Sequence, residues 1–320
     1  MRKPWLFAGA MAALILLGVI SLFIGVGEVT LASLRAGGQA QLFMAASRVP
    51  RTLALILTGS SLAIAGLVLQ IIVRNRFVEP STIGTTESAG LGFLLVTLLA
   101  PGWPLMGKML VAAGFAMAGT ALFLRLLRAI PAREVLLVPL VGIMLAGVIG
   151  AATTFLAYRF DLLASMLAWN MGDFSGVLRG RYELLWLGLA ATGFAWLIAD
   201  RLTVAGMGQD FSTNLGLSYR STVLAGLVIV AVIAAVCLVS TGQIPFLGLI
   251  VPNLVSMMIG DNMRSAVPWV AVLGALIVLA CDILGRLIRY PYEIPISVTL
   301  GVIGSVVFLY LLLGKRHHAP

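Results

Sequence analysis

The sequence has unusually little charge for a folded protein. Of 320 residues, 10% are charged and 61% are apolar, whereas a soluble domain carries about 25% charged residues. The apolar runs are continuous, as at residues 223–239, and approach the roughly 20 residues that an α-helix needs to cross a bilayer. A transmembrane β-barrel would instead alternate apolar and polar residues in short segments. The sequence therefore predicts an all-α membrane protein.

Residues that catalyse reactions or bind metals are also scarce. The chain contains no phosphate-binding loop, no H-E-x-x-H and no C-x-x-C motif. Its two histidines, His317 and His318, lie in the C-terminal tail, and Cys237 and Cys281 lie within apolar runs, where a thiol packs as a small hydrophobe. We therefore predict no catalytic residue, no metal site and no cofactor.

The net charge of +9 does not indicate a nucleic-acid partner. Lysines and arginines flank the apolar runs instead of forming a patch with aromatic residues, and at such positions they meet lipid headgroups and set orientation. Their distribution weakly favours a cytoplasmic N-terminus, with an uncleaved first helix. About ten crossings are expected, over residues 5–27, 52–73, 83–100, 107–127, 135–157, 183–199, 221–240, 247–260, 268–286 and 295–313. The whole chain, 1–320, is expected to form one transmembrane domain.

Ionisable residues inside the predicted spans are few. Glu87 and Asp282 are the candidates near span interiors. An ion-coupled secondary transporter usually places such residues near the bilayer midplane. Because this chain has few of them, a secondary transporter is kept as an alternative function and not as the leading one. An intramembrane enzyme is a further alternative, but the chain offers no convincing nucleophile and base.

The most informative polar stretch lies at residues 201–220, which the topology places in the cytoplasm. It is too apolar for a solvated linker, and it reads as two helical pieces broken near Asn214-Leu215-Gly216, with Gly206 and Gly208 permitting a sharp turn. Four apolar side chains are available to press against a partner: Leu202, Phe211, Leu215 and Leu217. A partner-binding helix pair and an ordinary connecting loop are both compatible with these residues.

Arginines stand at the predicted external ends of two spans. Arg48 and Arg51 flank Val49-Pro50 before the second span, and Arg286 ends the ninth. A guanidinium fork suits carboxylate recognition, while snorkelling to lipid headgroups is the competing interpretation.

At these segments the sequence resembles the iron-chelate and cobalamin permease family of ABC importers, the FecCD type. Residues 48–53 together with Gly59, Gln70 and residues 74–84 are similar to its R-L-P-R…G…Q…N-P-L-A-x-P…L-G signature. Residues 206–217 resemble its G-E-x-x-A-x-x-L-G loop. Residues 242–253 resemble G-x-I-x-F-V-G-L-I-V-P-H, and residues 282–304 resemble D-x-x-A-R…E-L-P-x-G…x-G.

The resemblance implies a type II ABC importer permease fold with ten helices in a bacterial inner membrane. It implies a second permease subunit, identical or different, two cytoplasmic ATPase subunits and an external binding protein. The coupling helices that dock the ATPase would include Gly206, Gln209, Asp210, Leu215, Gly216 and Leu217. The arginines that receive acidic residues of the binding protein would be Arg48, Arg51 and Arg286.

The chain departs from the family pattern at three places. Asn75-Arg76-Phe77 stands where the family usually has Asn-Pro-Leu, Gln209-Asp210 stands where it usually has Gly-Glu or Glu, and Asn253 replaces a frequent histidine. The first variant is similar to members that import catecholate siderophores such as petrobactin. The expected substrate is therefore a ferric siderophore, with haem and cobalamin as alternatives within the family.

Overall fold

The structure is a computed structural model that describes residues 4–25, 33, 35, 38–127, 137–180 and 182–314, without the side chains of residues 311–314. Within these ranges the chain is helical and contains no strand, so the all-α prediction is confirmed. The helices are α1 (Pro4–Phe23), α2 (Gln39–Phe43), α3 (Val49–Val73), α4 (Thr85–Leu99), α5 (Leu105–Leu127), α6 (Leu137–Arg159), α7 (Leu163–Asn170), α8 (Leu185–Leu197), α9 (Ala199–Gly206), α10 (Gln209–Asn214), α11 (Tyr219–Thr241), α12 (Leu247–Ile259), α13 (Met263–Ile288) and α14 (Ile296–Gly314). A π-helical turn, Met44–Arg48, joins α2 to α3, and a 3-10 turn, Tyr182–Leu184, precedes α8.

Six helical stretches in the described ranges are long and apolar enough to cross a membrane. They are α1, the stretch Gln39–Val73, α5, α6, α11 and α13. A seventh would be the pair Tyr182–Leu197 and Ala199–Gly206, which is bent by 66°. Three further apolar helices, Thr85–Leu99, Leu247–Ile259 and Ile296–Tyr310, are shorter, so a total of ten crossings stays a prediction.

Irregular backbone precedes two of the short helices. Residues 74–84 lead into α4 and residues 242–246 lead into α12, and within them Val78, Ile83 and Ile244 are buried. Irregular backbone at membrane depth is tolerated where protein surrounds it. These two segments therefore lengthen the path of the chain through the protein beyond α4 and α12. The two helices by themselves are shorter than a full membrane crossing.

Helix α3 forms the centre of the packing and contacts α8, α11, α12 and α13. It crosses α13 where Gly59 meets Gly274, and it crosses α12 where Gly66 meets Gly248. A Cβ atom added to Gly59 would lie 2.6 Å from the carbonyl oxygen of Gly274, and one added to Gly66 would lie 2.0 Å from that of Gly248. The backbones touch because no side chain separates them, as small residues allow in membrane helices.

The outer helices present apolar side chains away from this centre. In α1, α5, α6 and α14 few residues are buried, and large apolar residues such as Ile15, Val148, Phe155 and Val306 are exposed. A water-soluble protein rarely exposes contiguous apolar surface of this extent. The surface is that of a protein surrounded by lipid or by other membrane subunits.

Candidate functional site

An ion-pair cluster occupies the N-terminal end of α3. Arg51 donates to Asp282 Oδ1 at 2.6 Å and to Glu293 Oε2 at 2.7 Å, so one guanidinium joins α3 to α13 and to the segment before α14. Arg286, one turn beyond Asp282 on α13, pairs with the other carboxylate oxygen. Asp282 is 2% exposed and Arg286 4%, so these charges compensate one another away from solvent.

Two arginines at this end of the bundle also bond to the C-terminus of α1. Arg286 donates to the carbonyl oxygen of Ile24 at 2.7 Å and to the hydroxyl of Ser21 at 2.6 Å, and Arg48 donates to the carbonyl oxygen of Leu22 at 3.1 Å. The last carbonyls of a helix have no partner within the helix, and its C-terminus carries partial negative charge. Two arginines therefore satisfy this terminus and hold α1 against the bundle.

The structure thus brings together the three arginines that the resemblance assigned to docking of a binding protein. It places them inside the protein: Arg48 and Arg286 are buried, and 13% of the Arg51 side chain is exposed. Their charged groups point at partners within the chain. The docking role stays a prediction, and the internal pairing with Asp282 and Glu293 is a role that the sequence analysis did not foresee.

The opposite end of α3 carries the segment predicted to be a coupling loop. Helices α9 and α10 are separated by Met207-Gly208, earlier than the break expected at residues 214–216, which instead separates α10 from α11. Gly208 and Gly216 have φ of +122° and +72°, in the left-handed region that favours glycine. Gly206 lies against Ile71 of α3, where a Cβ atom would approach the Ile71 side chain to 2.8 Å.

A serine that the sequence analysis missed fixes α10 on α9. The buried hydroxyl of Ser212 donates to the carbonyl oxygens of Gly208 at 2.6 Å and Val204 at 3.1 Å. No motif marked this residue, because serine is common in loops and its partners depend on the angle between the two helices. Ser212 thus joins α10 to α9, and α9 in turn contacts the end of α3.

The predicted contact residues of this unit differ in accessibility. Leu215 is 62% exposed and Phe211 48% exposed, and Gln209, Asp210 and Gly216 are also exposed, while Leu217 is half-buried. Leu202, expected to press against a partner, is fully buried and packs beside Gly226 of α11. That expectation was wrong for Leu202, because the helical period turns it toward the bundle.

Two of the segments that resemble family motifs, residues 70–84 and residues 242–253, contact each other where α3 packs against α12. Gln70 donates to the carbonyl oxygen of Gly248 at 3.1 Å, and Asn253 donates to that of Arg76 at 2.8 Å. Glu79 accepts the backbone N–H of Phe246 at 2.9 Å. Its carboxylate therefore lies at the N-terminus of α12, where unpaired N–H groups favour a negative charge.

These features define an all-helical, multi-pass membrane protein with a charged cluster at one end and an exposed helix pair at the other. The family model described as the FecCD transport family matches residues 12–314, and the chain belongs to that family. Members of this family are transport components and not catalysts.

Curated relatives match nearly the full chain. The petrobactin import system permease protein YclN of Bacillus subtilis is 45% identical over 96% of this chain and 97% of its own length. The petrobactin import system permease protein FatD of Bacillus anthracis is 45% identical over 98% of this chain and 92% of its own. A solved structure, described as an inward-facing conformation of a metal-chelate type ABC transporter, has a TM-score of 0.79 at 27% identity and covers 97% of this chain and 99% of that one.

The ion-pair cluster gives a stability prediction. Asp282→Asn leaves two buried guanidiniums facing a neutral amide, and we expect a loss of about 3–5 kcal/mol of unfolding free energy. The matched control is Asp261→Asn: Asp261 pairs with Arg76, and the two side chains are 67% and 45% exposed, so a loss of about 0–1 kcal/mol is expected. Unfolding of the purified proteins in detergent micelles measures both. Equal losses for the two variants would contradict the structural role of the cluster.

Proposed function

We propose that this chain is a permease subunit of an ATP-driven importer that moves ferric siderophores across a bacterial inner membrane. The observation that carries the proposal is the 45% identity, over nearly the whole chain, to two permeases named for petrobactin import. The proposed assembly contains a second permease subunit, two cytoplasmic ATPase subunits and an external substrate-binding protein. Chelated iron is the cargo, so the chain needs no resident metal.

The proposed topology has about ten crossings of a type II importer permease, with both termini in the cytoplasm. Its support is the alternation of the six long helices with the bent pair and the three shorter apolar helices. Chain direction then places α9 and α10 in the cytoplasm and the ion-pair cluster outside. The two sites are separated by residues 51–71 of α3, which span about 30 Å at 1.5 Å per residue, close to the thickness of the hydrocarbon core.

The proposed contact with the ATPase subunits is the helix pair α9 and α10. ATP binding and hydrolysis in the partner subunits would move this exposed helix pair, which is linked to α3 through Gly206 and Ile71. Because α3 also touches α12 and α13 by backbone contact, a displacement at its end would tilt these helices together. The result would be alternating access of a path between two permeases, driven by partner binding and not by chemistry in this chain.

Reconstitution tests the proposal. Proteoliposomes that contain both permeases and the ATPases, with the binding protein outside, should take up ferric petrobactin and raise ATP hydrolysis when it is present. Cyanocobalamin with its own binding protein is the control for substrate class and should give neither response. Uptake that continues without the ATPase subunits would contradict the proposal and favour an ion-coupled secondary transporter.

The coupling role of α9 and α10 has its own test. Leu215→Asp places a charge at the most exposed of the leucines in this segment. We expect uptake to fall at least tenfold while the chain stays folded, because substitutions at exposed positions change stability little. Asn214→Asp adds the same charge at the adjacent exposed position and should leave uptake within about twofold of wild type. Normal uptake in Leu215→Asp would remove the leucine from the ATPase contact.

We also propose that the arginine cluster attracts the binding protein through its field. Three guanidiniums, of Arg48, Arg51 and Arg286, face two carboxylates, so the cluster keeps one net positive charge at the end of the bundle. A charge beneath the surface steers an acidic partner without direct contact.

Neutralising one arginine tests this role. Arg48→Gln removes the excess charge while leaving the pairs of Asp282 intact, and we expect binding-protein affinity to fall several-fold at low salt and less at high salt. Arg179 is the comparison, because its backbone N–H bonds to the carbonyl oxygen of Ala46 beside Arg48 and its side chain is exposed. An affinity loss in Arg179→Gln together with none in Arg48→Gln would contradict docking through the cluster.

A further inference from the structure

The turn between α13 and α14 carries aromatic surface that the ion-pair cluster does not use. Helix α13 ends at Ile288, and the turn that follows consists of Arg289, Tyr290, Pro291 and Tyr292, here called the tyrosine platform. Tyr290 is 64% exposed and Tyr292 is 71% exposed. The guanidinium of Arg289 lies over the ring of Tyr292, 5.8 Å from its centroid. Two large rings and one cation are therefore presented together on the surface.

The backbone on the far side of the tyrosine platform is attached to the bundle. Glu293 pairs with Arg51 at 2.7 Å, and the N–H of Ile294 donates to the carbonyl oxygen of Gly285 at 3.2 Å. A Cβ atom on Gly285 would lie 2.6 Å from the carbonyl oxygen of Ile294, so the chain returns in direct backbone contact with α13. The platform is thus held at both ends, and a partner that binds it has little backbone freedom to remove.

The tyrosine platform lies farther along the axis of α13 than the ion-pair cluster. Ile288 follows Asp282 by six residues, which is about 9 Å at 1.5 Å per residue. Helix α13 has 26 residues and is about 39 Å long, whereas the hydrocarbon core is about 30 Å thick. In the proposed topology the end of α13 therefore projects past the hydrocarbon, and the platform stands at the external surface beyond the cluster.

Charge and composition indicate the kind of partner that fits. Arg289 is exposed, and the ion pairs found among the described residues all involve other arginines. It therefore adds a second positive charge to the one that the neighbouring cluster keeps, and an acidic surface complements both. Tyrosine and arginine are also the residue types that dominate binding energy at protein interfaces.

A bilayer interface is the other setting in which tyrosines are common. The structure favours a protein partner, because Glu293 joins the tyrosine platform directly to the arginine cluster proposed to attract the binding protein. The two surfaces are continuous, so a protein drawn to the cluster meets the platform as well.

From this geometry we propose that the tyrosine platform is a contact site for the external substrate-binding protein. Tyr290 and Tyr292 pack on an apolar depression of the partner, and Arg289 pairs with a carboxylate at its edge. The inference rests on the proposed function and separates two tasks within it. The buried arginines attract the partner at a distance, whereas the exposed tyrosines supply the short-range contact that slows its dissociation.

Affinity measurements test the contact. The assembled importer, purified in detergent, is titrated with fluorescently labelled binding protein at low and high salt. Tyr290→Ala and Tyr292→Ala should each weaken binding about tenfold or more, equally at both salt concentrations, because the lost contact is apolar. Tyr292→Phe keeps the ring and should stay within about threefold of wild type. Tyr158→Ala is the matched control, because Tyr158 is 72% exposed at the end of α6, which the same topology places outside, and its affinity should be unchanged.

A second measurement uses the wild-type protein and needs no variant to fold. Hydroxyl-radical footprinting of the importer in phospholipid nanodiscs should show oxidation of Tyr290 and Tyr292 that falls about threefold or more when the binding protein is added, while that of Tyr158 stays constant.

Three outcomes would overturn the proposal. One is wild-type affinity in both folded alanine variants, and another is an equal loss in Tyr158→Ala. The third is protection of both tyrosines by the nanodisc alone with no change on adding the binding protein, which would identify lipid as the partner. Each of these results is compatible with substrate uptake by the wild-type importer, so the proposed function fails only if that ATP-driven uptake is itself absent.

Discussion

The backbone contacts of α3 with α12 and α13 are the constraint on which the rest of the structure depends. Gly66 against Gly248 and Gly59 against Gly274 leave no room for a side chain, so three helices share one fixed geometry. That proximity lets Gln70 reach a carbonyl of α12, and Arg51 reach Asp282 on α13. The glycine crossings thus set the register in which these polar groups face one another.

The two ends of α3 make different kinds of contact. At its start, Arg51 joins it to α13 and to the segment before α14, and Arg48 in the preceding turn bonds to the end of α1. The cost of separating such charges resists relative motion there. At its other end the contact with α9 is apolar, through Ile71 and Gly206, while α10 is held to α9 by Ser212. Under the proposed function, a displacement of the helix pair would act on α3 at this end, away from the ion-pair cluster.

The sequence predicted the helical class, because continuous apolar runs and scarce charge leave few other solutions. It also indicated the family, since residues 48–53, 74–84, 206–217 and 242–253 resemble family motifs. It could not predict that Arg51 turns inward, because its partner Asp282 lies more than two hundred residues away along the chain, whereas the pair of Asp282 with Arg286 is local, within one turn of α13. Leu202 was misplaced for the same reason: a short amphipathic helix shows its period, but not which face the bundle covers.

Three carboxylates, those of the buried Asp282 and Glu79 and of the partly exposed Glu87, show three degrees of compensation. Asp282 has two guanidiniums, Glu79 has the hydroxyl of Ser81 and the backbone N–H of Phe246, and Glu87 has one side-chain amide. The first two belong to the frame around α3, where any loss of partner would open the core. Glu87 lies outside that frame, among α4, α6, α7 and α11, where outer helices expose much of their surface. A carboxylate with incomplete compensation costs least where water or adjustable neighbours can complete its hydrogen bonds, so such a group is expected at the partly exposed Glu87 and not at the two carboxylates that hold α3 in place.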